Sequence, residues 1–112
     1  MLPPEKSEPL TFGRRIATAR KKLGLSLKEL ASRIKKDDGQ AISPQYLNDI
    51  EHDRRQPDSP HLIEQFATML GIKAELLYFD AGRLSADARN TGADEKTIVA
   101  AYQAFRKTIR GK

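Results

Sequence analysis

Gln45, Asn48, Asp49 and His52 stand at i, i+3, i+4 and i+7, a spacing that gathers four polar side chains on one face of a helix. The chemistry open to such a face is hydrogen bonding to base edges. A glutamine amide can pair bidentately with adenine N6 and N7 in a major groove, and Asn48 offers the same donor and acceptor one turn on. Asp49 can accept from cytosine N4, or it can act as a structural cap or a water-facing charge. Cations flank the segment: Lys35-Lys36 before it and Arg54-Arg55 after it. On an isolated helix these groups would simply be solvated. Their meaning depends on the elements that hold them.

Those elements are legible from caps and apolar seams. Ser43 can cap a helix over 43–52, and Pro44 suits its first position, where no amide hydrogen bond is lost. Leu47 and Ile50 face inward there, with Tyr46 at the edge. Upstream, Ser26 and Glu29 form a capping-box pattern, and Leu27, Leu30, Ala31 and Ile34 supply a second buried stripe. Asp38-Gly39 marks a turn between the two helices. Two capped helices in succession, the second with a polar face, are the pattern of a helix-turn-helix DNA reader.

Further helices frame this pair. Phe12, Ile16, Ala19 and Leu23 recur at helical spacing from Thr11, and Gly24 ends that run. Arg14, Arg15, Lys21 and Lys22 lie off the seam. Ser59-Pro60 opens a helix seamed by Leu62, Ile63, Phe66, Ala67 and Leu70, closed by Gly71. Residues 74–79 make one more short helix, using Leu76, Leu77 and Phe79 as core cover. Residues 1–10, with three prolines among charges, read as a disordered lead-in, and 81–93 as a connector. From Asp94, the residues Ile98, Ala101, Tyr102, Phe105 and Ile109 predict an amphipathic C-terminal helix over 94–112. The fold expected is all-α, one domain over 11–80 plus this added helix.

The chain has 112 residues, a formal charge of +5 and no cysteine. Disulfides and thiolate metal sites are therefore excluded. His52 and His61 lack metal-ligand spacing, so no metal or other cofactor is expected. No nucleophile, base and orienter fall together, which excludes an enzyme reading. No apolar run spans a bilayer, and a cytoplasmic location without membrane contact is expected. The charge is unevenly placed: residues 1–36 carry ten Lys/Arg against three Asp/Glu, while residues 37–80 carry three against nine. A basic chain suits a polyanion, but the segment holding the polar helix is acidic.

Residues Ser26 to Glu51, then Arg54-Arg55-Gln56-Pro57 and the Leu62–Leu70 helix, resemble the lambda-repressor-like (XRE) helix-turn-helix family. The resemblance covers about Phe12 to Phe79. It implies a five-helix bundle acting as a dimer on two-fold symmetric double-stranded DNA. It also implies base reading at Pro44, Gln45 and Asp49, joined by Asn48 on its own chemistry. The candidate phosphate contacts are Ser26, Lys28, Ser43, Tyr46, Arg54 and Arg55. An ion pair between Arg20 and Glu51, tying the first helix to the third, is implied as well. Three departures stand out: Pro44 cannot donate a hydrogen bond, Leu27 replaces an amide side chain, and the turn between the two helices is longer than usual by about six residues.

The function expected is sequence-specific transcriptional regulation, as a repressor or autoregulator. Ile98, Tyr102, Phe105 and Ile109 would form the dimer seam. The alternative is an interaction adaptor that keeps the fold without reading DNA and binds a protein partner.

Overall fold

Side-chain caps set where the helices begin. The computed structural model describes residues 10–111, so the lead-in expected over 1–10 lies, apart from Leu10, outside the described residues. Thr11 accepts from the Arg14 amide and starts α1 (Phe12–Lys22). Ser26 and Glu29 close a full capping box on α2 (Leu27–Arg33). Ser43 accepts from the Tyr46 amide to start α3 (Pro44–Glu51), and Ser59 caps α4 (Pro60–Leu70). Each such cap is worth about 1 kcal/mol. Gly71, at φ 69°, supplies the left-handed residue that ends α4. Then follow α5 (Ala74–Asp80), α6 (Ala86–Arg89) and α7 (Glu95–Arg110), the last capped by Asp94.

The first five helices share one core. α1 packs on α3 and α4, α2 on α3, and α4 on α5. Ile16, Leu30, Ile34, Leu47, Ile50, Ile63, Phe66 and Leu77 are fully enclosed. Phe12 meets Phe66 edge to face, with ring centroids 5.9 Å apart, joining α1 to α4. Among the described residues the regular structure is helical, apart from an isolated antiparallel bridge between Lys35 and Ala41. That bridge and the Ile42 amide bond to the Ile34 carbonyl make the long α2–α3 turn a small hairpin rather than a loose loop. The Lys35 amide also donates to Gln65 on α4.

Several expectations need correction. Leu23 is exposed, because it caps the C-terminus of α1 beyond the buried seam; Leu25 packs against the core instead. Leu76 and Phe79 are exposed, whereas Tyr78 is buried beside Leu77. The tyrosine can be buried because its hydroxyl donates to Glu64 of α4 at 2.8 Å. The connector over 81–93 contains the short helix α6.

α7 stands apart. It buries none of its residues, and Ile98, Tyr102, Phe105 and Ile109 are each about half exposed. It meets the body at Phe105 against Phe79, with ring centroids 6.2 Å apart, and Ile98, Ala101 and Tyr102 line an apolar cleft shared with Leu84 and Ala88. The radius of gyration is 16.0 Å, against about 13 Å for a compact chain of this length.

Candidate nucleic-acid interface

α3 is anchored on its inner side by Leu47 and Ile50 and at its C-terminal end by Glu51. The Arg20 guanidinium lies bidentate on the Glu51 carboxylate, with Nε to Oε2 at 2.7 Å and Nη2 to Oε1 at 3.0 Å. Its third nitrogen, Nη1, donates to the Leu25 carbonyl at 2.9 Å. Both side chains are largely removed from solvent, and the bonded carboxylate raises the already high pKa of Arg20. A buried charge needs this saturation of its donors. The pair sets the angle of α3 against α1.

A second tie has no local signal in the sequence. Asp53, the residue after the α3 cap, adopts φ 61° and turns its carboxylate onto the start of α1. It accepts from the Gly13 amide at 3.1 Å and from the Thr11 hydroxyl at 2.7 Å. α1 and the end of α3 approach so closely there that a Cβ on Gly13 would lie 2.6 Å from the Glu51 carbonyl oxygen, and closer still to that of Ile50. The two residues stand forty positions apart, a glycine beside an apolar seam and an aspartate in a loop, and nothing between them connects the two.

On the outer side the expected polar stripe divides. Gln45 is exposed and donates through Nε2 to Asp49 Oδ1 at 3.1 Å. Arg54 Nε donates to the same oxygen at 3.1 Å, and the Arg54 amide donates to the Asp49 carbonyl. Asn48 and His52 instead line a polar groove against α1, facing Arg14, Thr18 and Lys21. His52 Nδ1 bonds the Asn48 carbonyl at 2.9 Å. Pro44 occupies the first, exposed position of α3.

The phosphate candidates are placed unequally. Arg55 lies over the Tyr46 ring, its guanidinium carbon 4.9 Å from the centroid, so this loop arginine is held by a cation–π contact. The Tyr46 hydroxyl oxygen is enclosed rather than presented, and burial, with Asp58 second, raises its pKa. Tyr46 therefore offers a ring to Arg55 and no hydroxyl to a phosphate. Ser26 and Ser43 use their side-chain oxygens as helix caps, and the Ser26 amide donates to Glu29. Lys28 is exposed on the first turn of α2. Lys35 reaches back to the Ser32 carbonyl at the end of α2.

The acidity of residues 37–80 has an internal explanation. Asp49, Glu51, Asp53, Glu64 and Asp80 are bound to Arg54, Arg20, the start of α1, Tyr78 and Arg15 respectively. Five of the nine acids of this segment are thus engaged within the fold, and four of the five tie separate elements together. Among the described residues no three of His, Cys, Asp or Glu are grouped to hold a metal ion, and no helix is long and apolar enough to cross a membrane.

A capped α2 packed on a capped α3, with the second helix exposing Gln45 and carrying two docked arginines at its end, defines a helix-turn-helix protein. A family model for the helix-turn-helix domain matches residues 13–83, and the chain belongs to this family, in its lambda-repressor-like (XRE) form. It is similar to the biofilm master regulator SinR in complex with DNA, at 30% identity over 60% of this chain and 97% of that one, with a TM-score of 0.50. It is similar also to SinR in its complex with SinI, at 27% identity over 88% and 99% of the two chains and a TM-score of 0.51. The clp gene regulator ClgR from C. glutamicum shares 27% identity over 67% and 92%, with a TM-score of 0.50. Among curated proteins none matches the chain.

Proposed function

We propose that this protein is a sequence-specific DNA-binding regulator of transcription, acting as a repressor or autoregulator. α3 enters the major groove, Gln45 meets a base edge, and Arg54 and Arg55 meet phosphates beside it. The observation that carries this reading is the docking of both loop arginines onto α3 itself, one on Asp49 and one on the Tyr46 ring. Reading side chains and phosphate anchors are then one rigid unit, as groove recognition requires. The similarity to SinR bound to DNA supports it.

We further propose that the active species is a homodimer formed through α7. A half-exposed stripe of Ile98, Tyr102, Phe105 and Ile109, continuous with exposed Phe79, needs cover, and a second copy of α7 supplies it. A two-fold dimer presents two α3 helices to two half-sites. Selection of the full chain against a random duplex library at stated salt tests the function. A recovered two-fold symmetric motif is expected. Binding with no preferred sequence overturns it and favours the adaptor reading, in which the same fold serves a protein partner.

A further inference from the structure

Resting on the assignment of α3 as the base-reading helix, we propose that Asp49 is a positioning residue that fixes the Gln45 carboxamide for adenine and couples that contact to the Arg54 phosphate anchor. A carboxylate on a face that meets DNA is a puzzle, because phosphates repel it. Here Oδ1 of Asp49 takes a hydrogen bond from Gln45 Nε2 and another from Arg54 Nε, each at 3.1 Å. The guanidinium offsets the charge, and the Asp49 side chain is only 24% exposed against 55% for Arg54. The carboxylate thus sits behind the arginine.

The consequence for Gln45 follows from its donor and acceptor count. Its amide nitrogen carries two hydrogens; one goes to Asp49, leaving one N–H and the carbonyl oxygen Oε1. One donor beside one acceptor is the complement of adenine N7 and N6–H. Turning the amide over would set the acceptor Oε1 against the acceptor-only Asp49 carboxylate, so the reversed presentation is disfavoured by lone-pair repulsion and a lost hydrogen bond. Without Asp49 the exposed amide would sample both orientations and lose rotamer entropy on binding. Arg54 shares the same oxygen, so moving Gln45 off its register also disturbs the anchor.

Library selection and affinity measurement on the full chain, comparing wild type with Asp49→Ala, Asp49→Asn and Gln45→Ala, test this. Asp49→Asn is isosteric and guards against loss of fold, which thermal melting checks separately. Asp49→Ala is expected to lower adenine preference at the one half-site position that Gln45→Ala also affects by about tenfold, the lower part of the range for a bidentate contact, and Asp49→Asn to lower it at the same position. The asparagine side chain keeps an oxygen acceptor, so the loss should be smaller in Asp49→Asn than in Asp49→Ala. The Gln45→Ala/Asp49→Ala double variant should lose no more at that position than Gln45→Ala alone. A preference lost at a different position would show Asp49 reading a base itself and would overturn the proposal. Loss of the Arg54 tie should add a weakening common to all sequences; such uniform weakening with the adenine preference intact would overturn the positioning role. Should wild type select no motif, the DNA-reading assignment falls with it; should it select a motif that the Asp49 variants retain, only the positioning role falls.

Discussion

Gly13 donates its amide to the Asp53 carboxylate at 3.1 Å, and through this bond the start of α1 is pressed against the end of α3. The contact leaves no room for a side chain at position 13. Gly13→Ala therefore sets two effects against each other. Alanine is favoured over glycine in a helix by at most about 1 kcal/mol, and by less in the first turn, where position 13 lies. The added methyl meets backbone carbonyls, which cannot swing aside, and overpacking of this kind costs about 3 kcal/mol. Net destabilisation by urea unfolding is the expected result. A neutral or stabilised variant would show that α1 and α3 are not in this contact.

The ion pair of Arg20 and Glu51 has its own signature. Each single substitution to alanine leaves a charge in a poorly solvated place, and losses of about 3–5 kcal/mol are expected. Removing both should cost less than the sum of the two. A double-mutant cycle measures this directly, and a coupling energy near zero would contradict the geometry.

How much of this can be read from residues alone depends on sequence distance. The caps at Ser26, Ser43 and Ser59 and the stop at Gly71 are local, and each side chain meets an amide within one turn. The pairing of Arg20 with Glu51 rests on family resemblance, since nothing in either segment points to the other. Gly13 with Asp53, and Tyr78 with Glu64, join separate elements and have no such guide. The polar stripe on α3 is visible as spacing, yet its division needs α1: the groove with Arg14 and Lys21 draws in Asn48 and His52, while Asp49 keeps Gln45.

Gln45 and Arg55 should differ in kind. Gln45→Ala is expected to relax preference at one position of each half-site by roughly 1–3 kcal/mol. Arg55→Ala should weaken all sequences alike and reduce the slope of affinity against salt, because a phosphate contact releases counterions whatever the base. Titrations at several salt concentrations, on the selected site and on a scrambled one, separate the two. Matching profiles would mean that the roles are misassigned.

Tyr78 makes alkaline stability a probe of the α4–α5 contact. Burial first, then the hydrogen bond to Glu64, pushes its pKa up to about 12, from about 10 in an unfolded chain. The folded state thus holds the phenol proton more tightly. The stabilisation is fully present below pH 10 and is lost as pH rises through about 12. Tyr78→Phe should be less stable than wild type at neutral pH by about 1 kcal/mol, the worth of the hydrogen bond. The difference should shrink between pH 10 and 12 and then reverse. A pH-independent gap between the two would show that the hydroxyl is solvated.

α7 carries the last prediction. Its polar side holds Lys96, Arg106, Lys107 and Arg110, all exposed, which keep the helix soluble whatever its apolar side meets. That apolar side faces Phe79, Leu84 and Ala88 across an open apolar cleft, and none of its residues is buried. Dimerisation through α7 therefore predicts a clean separation between fold and assembly. Tyr102→Glu combined with Phe105→Glu should leave the melting of the first five helices unchanged, because neither residue belongs to their core. The same variant should sediment as a monomer at concentrations where wild type is a dimer: facing stripes would bring the introduced carboxylates together in a desolvated seam, where like charges repel. Binding to a two-fold site should fall steeply, while binding to a single half-site should hold, since α3 is untouched. A double variant that still sediments as a dimer would place the interface on another face and leave α7 without a part in assembly.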